Sequence, residues 1–297
     1  MSSGTRLVPH WLYGFLQVQP TPPAAEIARF YADEFYSGDY RRLNDSGLDV
    51  QLRDKQFYDA HRADICRHLA TLTGRPVAGR SVLDVGCGWG RALLVFREHG
   101  MDCWGFDPAP EAVVYAERQG LAVREAGMER MDVFDGRRFD VVTVLNVLEH
   151  LADPVAVVAE LRDAVLVPGG MLVVEVPNEF NAFQDAARAQ HGLSEWWVAP
   201  PAHLNYFNAT TLRSLLEGEG YTVRLVHSDF PIELFLLFGE NYVGDGPRGR
   251  QCHEQRMRFE ASLRASGHTD ILDRFYRSLA AEGLGRQLVM YAEAPRS

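Results

Sequence analysis

Short apolar runs alternate with amphipathic stretches through the middle of the chain, beginning at residue 81. An apolar run bounded by turn residues predicts a buried strand, and apolar positions three or four apart predict a helix. The predicted elements are, in chain order, strand 81–85, helix 89–99, strand 102–106, helix 109–119, strand 121–125, strand 139–145, helix 153–165 and strand 171–176. Such alternation is typical of a parallel sheet with right-handed helical connections.

The alternation loosens into a loop-rich stretch at 177–208. A helix over 209–219 and a strand over 221–227 follow, and a last strand is predicted over 285–294. A helical pattern around 251–281 separates these two strands. Because so long a connection joins them, the last strand is predicted to run antiparallel. The predicted fold class is therefore α/β, with a sheet of about seven mostly parallel strands.

The N-terminal segment lies outside this alternating pattern. It is rich in aromatic residues, and Pro20-Thr-Pro-Pro23 interrupts it before a helical pattern over 24–35; another helical region is predicted over 46–73. We expect this segment and the late insertion to lie over the carboxyl edge of the sheet, where such sheets bind ligands. The predicted division is an aromatic-rich helical lid, 1–45, and one domain, 46–297, with a core of 80–230 and 284–297 and a helical insertion of 231–283.

Composition narrows the class of protein. The chain has 297 residues, of which 46% are hydrophobic and 24% charged, as in an ordinary globular protein with a sizeable core. Its net charge of −10 makes it a poor binder of nucleic-acid backbones. No apolar run approaches the roughly 20 residues that cross a bilayer. We expect a small-molecule partner, neither nucleic acid nor membrane, and an open oligomeric state in which a homodimer is one option.

The four cysteines lie far apart, without a Cys-x-x-Cys pair. This spacing excludes a zinc ribbon, and a disulfide scaffold is rare in a chain of this size. The N-terminus lacks the basic start and continuous apolar stretch of a secretory signal. We therefore expect a reduced, cytoplasmic protein.

The clearest motif is a glycine-rich turn between a predicted strand and a predicted helix, Gly86-x-Gly88-x-Gly90. Glycines at this point let a ligand approach the backbone at the carboxyl end of the strand. Asp107 ends the next strand, twenty-one residues after Gly86, at the spacing from which an acid reaches ribose hydroxyls. Three interpretations fit the glycine turn and Asp107: a turn without a ligand, a dinucleotide site and an S-adenosylmethionine site.

Asp84 helps to decide between the two ligands. A carboxylate two residues before the first glycine would lie near a pyrophosphate and repel it. The same carboxylate suits a ligand with an ammonium group. S-adenosylmethionine carries an ammonium and a sulfonium but no phosphate, so the acid favours it over a dinucleotide.

Four strings in order carry a family resemblance: VLDVGCGWG, GFD, FDVVTVLNVLEHLADP and LVPGGMLVVEVPN. Together they resemble the class I S-adenosylmethionine-dependent methyltransferases. The resemblance implies a Rossmann-like fold, methyl transfer and S-adenosyl-L-methionine as the methyl donor. The later string PAHLNYF is similar to a branch that acts on small molecules, sugars and quinone precursors. The implied acceptor is a small molecule such as a sugar or a natural-product intermediate.

The resemblance also implies which residues hold the methyl donor. They are Asp84, Gly86, Cys87, Gly88 and Asn146 at the methionine end, Asp107 at the ribose hydroxyls, and Pro108, Gly127 and Met128 beside the adenine. For Met128 the alternative is plain core packing.

Polar residues after the later strands are candidates for the acceptor side, because acceptors bind above the carboxyl ends of the strands. His150, supported by Glu149, is the first candidate for a general base, since an imidazole with a pKa near 6.5 is mostly neutral at physiological pH. His203 with Tyr206 is the second. A purely structural role is the alternative for each. Further polar residues at this edge are Asn178, Glu179, Asn181 and Asn205.

The favoured reaction is O-methylation by in-line displacement. A hydroxyl becomes more acidic as its bond to the methyl carbon forms, so a nearby base speeds the step by roughly 100-fold or more. C- or N-methylation of a similar acceptor is the alternative, because histidine could equally deprotonate a carbon acid. A subunit that binds S-adenosylmethionine without turnover is the alternative from another class.

A divalent metal is a separate alternative at the same edge. Some relatives have Glu-x-x-Glu-His after the fourth strand, whereas this chain has Asn146-x-x-Glu149-His150. An amide is a weaker ligand for hard cations than a carboxylate, so no metal is assigned to the predicted site. Trp196, Trp197 and the aromatic residues of 235–238 could line an apolar acceptor pocket, with core packing as the alternative.

Overall fold

The computed structural model describes residues 6–23, 26, 27, 29, 30, 47–128 and 130–296, which form two sheets. The strands of the larger sheet are β3 (Ser81–Val85), β4 (Asp102–Asp107), β5 (Ala122–Glu125), β6 (Phe139–Leu145), β7 (Leu166–Pro177), β9 (Thr222–Ser228) and β10 (Gln287–Glu293). The strands of the smaller sheet are β1 (Arg6–Pro9), β2 (Leu16–Gln19) and β8 (Asn205–Tyr206).

The helices lie between these strands. They are α1 (Leu48–Arg53), α2 (Lys55–Thr73), α3 (Arg91–Glu98), α4 (Pro110–Arg118), α5 (Pro154–Glu160), α6 (Ala182–His191), α7 (Ala209–Gly218), α8 (Glu233–Leu237), α9 (Gly246–Ala265) and α10 (Thr269–Ala281). A 3-10 turn, Leu148–His150, follows β6, and a π turn, Leu161–Val165, continues α5. No described helix is both long enough and apolar enough to span a bilayer.

The larger sheet has the order β5-β4-β3-β6-β7-β10-β9. The first five strands of this order pair in parallel, and β10 pairs antiparallel with both β7 and β9. The prediction of a mostly parallel seven-stranded sheet with an antiparallel last strand is therefore confirmed. Because the chain enters β3 at the centre and then winds outward in both directions, the carboxyl ends of β3 and β6 lie side by side.

The central strands are buried on both faces. In β6, Val142 and Val144 belong to the apolar cluster on one face and Val141 to the cluster on the other. Helices cover both faces of a parallel sheet, which is why such strands are continuously apolar. Thr143 is a buried polar residue within this run, and its hydroxyl bonds to Asp84 on the neighbouring β3.

The stretch predicted as loop-rich, 177–208, contains a helix, α6. Asn181 begins it: its side chain accepts hydrogen bonds from the backbone N–H groups of Phe183 and Gln184, and the Gln184 side chain accepts from the backbone N–H of Asn181. These two reciprocal hydrogen bonds form a capping box, a residue pattern that indicates the start of a helix. Outside Ala182–His191 the stretch is mostly loop, as predicted, and the helix itself was not predicted although Asn181 and Gln184 have the spacing of such a cap.

The N-terminal segment forms an antiparallel hairpin, β1–β2, that the sequence pattern did not predict. Its second strand pairs with β8, and Phe15 packs on Phe207 with ring centroids 4.7 Å apart. Most of the predicted helix 24–35 lies outside the described residues. Phe30, which is described, packs against Ala202 and Met128.

The helical pattern around 251–281 is two helices rather than one. Gly267, with φ +78°, lies between α9 and α10. The break folds α10 back onto β9, so the insertion packs beside the last two strands of the larger sheet.

Gly218→Ala tests the packing of the hairpin. A methyl group at Gly218 would lie 2.4 Å from Cε1 of Tyr13, whose hydroxyl donates to Glu219 at 2.5 Å. We expect the displacement of Tyr13 to lower the free energy of unfolding by about 1–3 kcal/mol, measured by urea denaturation. Gly249→Ala is the matched control: α9 has open space there, and alanine should stabilise the helix by about 0.5–1 kcal/mol. Equal effects of the two substitutions would contradict the tight packing.

Candidate active site

The glycine turn joins β3 to α3 and needs glycine for two reasons. Gly86 and Gly88 have φ values of +67° and +50°, in the left-handed region that other residues rarely adopt. A Cβ atom on Gly86 would also lie 2.5 Å from Cγ2 of Val147 and 3.2 Å from Sδ of Met128. The turn therefore packs directly against the segments that follow β5 and β6.

Asp107 holds this turn in place from the end of β4. Its carboxylate accepts hydrogen bonds from the backbone N–H groups of Gly88 (2.8 Å) and Ala109 (2.9 Å). Burial raises the pKa of Asp107 to about 6, and the two backbone hydrogen bonds oppose this shift. The acid is thus a structural anchor as well as the predicted ribose ligand.

Asp84 is buried beside the same turn. Thr143, its partner across the β3–β6 register, donates its hydroxyl hydrogen to Asp84 Oδ1 at 2.6 Å. Burial raises the pKa of Asp84 to about 7, while Thr143 and the Arg62 guanidinium lower it. Thr143 was not among the predicted site residues, although a hydroxyl inside an apolar strand is a usable signal.

Asn146 lies directly after β6 with φ +55°. Its side-chain amide donates to Oε1 of Glu175 at 2.8 Å, and its backbone N–H donates to the Glu175 carbonyl, also at 2.8 Å. Glu175 also pairs with Arg62 of α2. Burial alone would raise the pKa of Glu175, but the Arg62 guanidinium holds it below its ordinary value. Arg62 carried no signal in the sequence, whereas Glu175 stands out as a charged residue inside the apolar strand β7.

A single cavity of about 530 Å³ is lined both by residues predicted to bind the cofactor and by residues predicted to be catalytic. The predicted cofactor residues that line it are Asp84, Gly86, Cys87, Gly88 and Asn146. The predicted catalytic residues that line it are Glu149, His150 and His203. The other predicted residues, which are not part of its lining, are Asp107, Pro108, Gly127, Met128 and Tyr206.

The aromatic residues predicted to line an apolar acceptor pocket do not line this cavity. Trp196, Trp197 and residues 235–238 lie outside its lining, which instead carries many charged side chains.

The side chains of Asn178 and Asn181 form hydrogen bonds with the backbone. The Asn178 amide donates to the Gly283 and Gly285 carbonyls, and Asn181 caps the start of α6.

Glu149, His150 and His203 lie together in the lining of the cavity. The rings of His150 and His203 meet edge to face with centroids 5.0 Å apart, and Glu149 Oε1 is 3.7 Å from Nε2 of His150. Nδ1 of His150 lies 2.7 Å from the Ala202 carbonyl oxygen. Within the described parts of the chain, neither ring nitrogen of His203 makes a hydrogen bond, and Oε2 of Glu149 has no partner.

These three groups are mostly uncharged at neutral pH. Burial lowers the pKa of His150 to about 4, despite backbone hydrogen bonds to Ala202 and Asn146, and it lowers the pKa of His203 well below its ordinary value. Burial raises the pKa of Glu149 to about 8. Burial therefore holds all three groups in their uncharged forms, and a proton accepted by either imidazole creates an imidazolium that the site must stabilise.

Tyr206 supports the loop that carries His203. Its hydroxyl donates to the His203 carbonyl at 3.1 Å and accepts from the backbone N–H of Ala199 at 3.0 Å. These two contacts hold the loop from within, and they give Tyr206 a positioning role.

The same cluster has the donor atoms for a metal ion. One ligand atom from each of Glu149, His150 and His203 lies within 4.8 Å of the others. Two imidazoles and one carboxylate suit zinc-like ions better than magnesium. Asn146, which stands where the related motif has its first carboxylate, offers only an amide oxygen, a weaker ligand, while its amide nitrogen donates to Glu175.

The strand order, the glycine turn and the acids at the ends of β3 and β4 together define a class I S-adenosylmethionine-dependent methyltransferase fold. Comparison with known proteins agrees. The chain belongs to the methyltransferase-domain family, whose model matches residues 58–226.

Curated relatives match a shorter part of the chain. The ubiquinone biosynthesis O-methyltransferase of Cereibacter sphaeroides (strain ATCC 17025 / ATH 2.4.3) is 36% identical over 108 residues, which is 35% of this chain and 43% of the relative. The enzyme of the same name from Maricaulis maris is 33% identical over 123 residues, 39% of this chain and 48% of the relative. The match therefore spans less than half the length of these relatives.

Solved structures share the fold over most of the chain. The plantazolicin methyltransferase BpumL in complex with SAH superposes with a TM-score of 0.53 at 15% identity, covering 91% of this chain and 94% of that one. A SAM-dependent methyltransferase from Archaeoglobus fulgidus has a TM-score of 0.51 at 18% identity, covering 82% and 98%.

Glu149→Gln tests the burial of an uncharged acid in the site. The folded-state pKa of Glu149, about 8, lies above the ordinary value of 4.5, so the folded state binds the proton more tightly than the unfolded state. Between these pH values wild-type stability should fall as pH rises, with a slope of up to about 1.4 kcal/mol per pH unit from this group. Glutamine removes that contribution.

Urea denaturation at pH 5 and pH 8 measures the effect. We expect the variant to gain stability relative to wild type as pH rises. A stability difference that does not change between pH 5 and pH 8 would mean that Glu149 titrates normally.

Proposed function

We propose that this chain transfers the methyl group of S-adenosylmethionine to a hydroxyl of a small molecule in the cytoplasm, such as a sugar or a natural-product intermediate. The observation that carries the proposal is the shared cavity, in which the glycine turn and Asp84 adjoin Glu149, His150 and His203. Methyl transfer requires the sulfonium and the nucleophile to meet in one enclosed space.

The glycine turn supports binding of the methyl donor at the methionine end. Asp84 would attract its ammonium group, and Gly86 and Gly88 line the cavity beside this acid. Asn146, held by Glu175, would border the same end. Asp107 would accept from the ribose hydroxyls while it holds Gly88. Pro108, Gly127 and Met128 remain the proposed adenine contacts, and Phe30 packs beside Met128.

His203 is the general base that we favour, with His150 beside it. The ring of His150 already contacts the Ala202 carbonyl, whereas the ring of His203 makes no hydrogen bond to any described residue and lines the cavity. A neutral His203 can accept the acceptor's proton as the new C–O bond forms, because the methylated oxygen is a far stronger acid than imidazolium. Glu149, with a raised pKa, would hydrogen-bond the acceptor from the same side.

The name of the curated relatives, ubiquinone biosynthesis O-methyltransferase, supports a hydroxyl over a carbon or nitrogen acceptor. C- or N-methylation is the second candidate, because the same base could deprotonate an activated carbon. A divalent ion held by Glu149, His150 and His203 would polarise an acceptor oxygen as a Lewis acid. A subunit that binds the donor without turnover would need none of the three.

Asp107→Asn tests the cofactor assignment. We expect affinity for S-adenosylhomocysteine to fall at least about tenfold, because the carboxylate loses its charge-assisted bonds to the ribose. Isothermal titration calorimetry measures this. Asp102→Asn, at the exposed start of the same strand, is the matched control and should bind as wild type. If Asp107→Asn also binds as wild type, the ribose assignment is wrong.

His203→Gln tests the base. The substrate is found first, by incubating the protein and methyl-¹³C S-adenosylmethionine with a metabolite extract and locating the label by NMR. We expect the label on oxygen; label on carbon or nitrogen would overturn the O-methyl proposal. With that acceptor, His203→Gln should lower kcat by about 100-fold, with a smaller loss for His150→Gln.

His268→Gln, in the exposed turn before α10, is the control and should leave kcat unchanged. Full activity after treatment with EDTA would support base catalysis over metal catalysis. Unchanged kcat in both cavity variants would mean that alignment alone suffices.

A further inference from the structure

Five arginines line the cavity, and four of them are already neutralised. Each of the four donates from its guanidinium group to a carboxylate, and the pairs are Arg62–Glu175, Arg91–Asp59, Arg264–Asp64 and Arg286–Glu179. Arg256 of α9 differs. In the described part of the molecule, its terminal nitrogens make no hydrogen bond, and the nearest carboxylate oxygen, Oδ2 of Asp229, is 3.6 Å from one of them.

Arg256 is nevertheless held in place. Its Nε donates to Nδ1 of His253 at 2.8 Å, and its guanidinium lies over the Phe57 ring, 5.1 Å from the ring centroid. Burial lowers the pKa of His253 to about 4, so that imidazole is neutral and can accept. His253 therefore fixes one edge of the planar guanidinium and Phe57 covers one of its faces. The two terminal nitrogens remain available to donate to a ligand.

Asp229 connects this arginine to the reacting end of the cavity. Its other oxygen, Oδ1, accepts from the backbone N–H groups of Arg286 (2.9 Å) and Gln287 (2.7 Å). The Arg286 side chain in turn acts electrostatically on both Glu149 and His203. Arg256 and the proposed base thus line the same cavity, with Arg286 and Asp229 between them.

We infer that Arg256 binds an oxyanion of the acceptor, so that the substrate is a hydroxylated carboxylic acid or phosphate ester rather than a neutral molecule. The inference rests on the proposed function and specifies its substrate class. A guanidinium with two free terminal nitrogens matches a carboxylate or phosphate in a planar, two-point contact. Asp229 forms an ion pair with Arg256 but lies too far for a hydrogen bond, so the terminal nitrogens have no acceptor among the described residues without such a ligand.

Binding of three small probes tests the inference without the natural substrate: benzoate, phenyl phosphate and the neutral benzamide. Ligand-observed NMR titrations are run with and without saturating S-adenosylhomocysteine. We expect at least one anionic probe to bind about tenfold or more tightly than benzamide. The better of the two identifies the oxyanion as carboxylate or phosphate. Equal binding of all three probes would overturn the inference.

Arg256→Met removes the fork and should abolish the preference for anions, and Arg256→Lys should keep part of it. Arg258→Met, two residues along on the exposed side of α9, is the matched control and should keep the preference in full. Circular dichroism and thermal unfolding confirm that the variants fold. Retention of the preference by a folded Arg256→Met would also overturn the inference.

The two proposals fail separately. If the anion preference depends on Arg256 but no methyl transfer occurs, the methyltransferase proposal fails and the anion site remains. If methyl transfer occurs on an acceptor without an acidic group, the anion site fails and the reaction remains.

Discussion

The carboxylate of Asp107 is the contact on which the cofactor end depends. It accepts from Gly88 in the turn after β3 and from Ala109 in the turn after β4, so one buried side chain joins the ends of two neighbouring strands. The turn held in this way brings Gly86 against Val147 and Met128, with no room for a side chain. The position of the cavity floor follows from these contacts.

The buried acids of the site differ in their partners, and the partners decide their charge. Asp84 has one hydroxyl donor and a pKa raised to about 7, whereas Glu149 has an unpartnered oxygen and a pKa raised to about 8. Glu175 meets a guanidinium and stays ionised. Near neutral pH, the site therefore keeps paired charges in Arg62–Glu175 and Arg286–Glu179, and between them Glu149, His150 and His203 are themselves mostly uncharged. An imidazolium formed there would need stabilisation by a neighbouring acid, because burial disfavours the charged form.

The sequence predicted what depends on local pattern. β3 and β6 have the predicted bounds, because buried parallel strands are continuous apolar runs. The glycine turn could be predicted because few residues other than glycine adopt its backbone conformation. The β1–β2 hairpin escaped prediction because its strands have four residues each and its partner, β8, lies almost 190 residues away. Arg256 was not predicted for a related reason. The chain has many arginines, and Arg256 differs from them only in the folded structure, where its terminal nitrogens make no hydrogen bond to a described residue.

The backbone of Leu204 joins three distant parts of the chain. Its N–H donates to the Glu149 carbonyl, and its carbonyl accepts from the N–H of Val18. The glycine turn needs Met128 and Val147, which precede residue 150, whereas the position of His203 also requires the contacts of Leu204 with Glu149 and Val18. Such long-range contacts form slowly during folding. A chain emerging from the ribosome therefore carries all the residues that pack around the glycine turn before it carries His203.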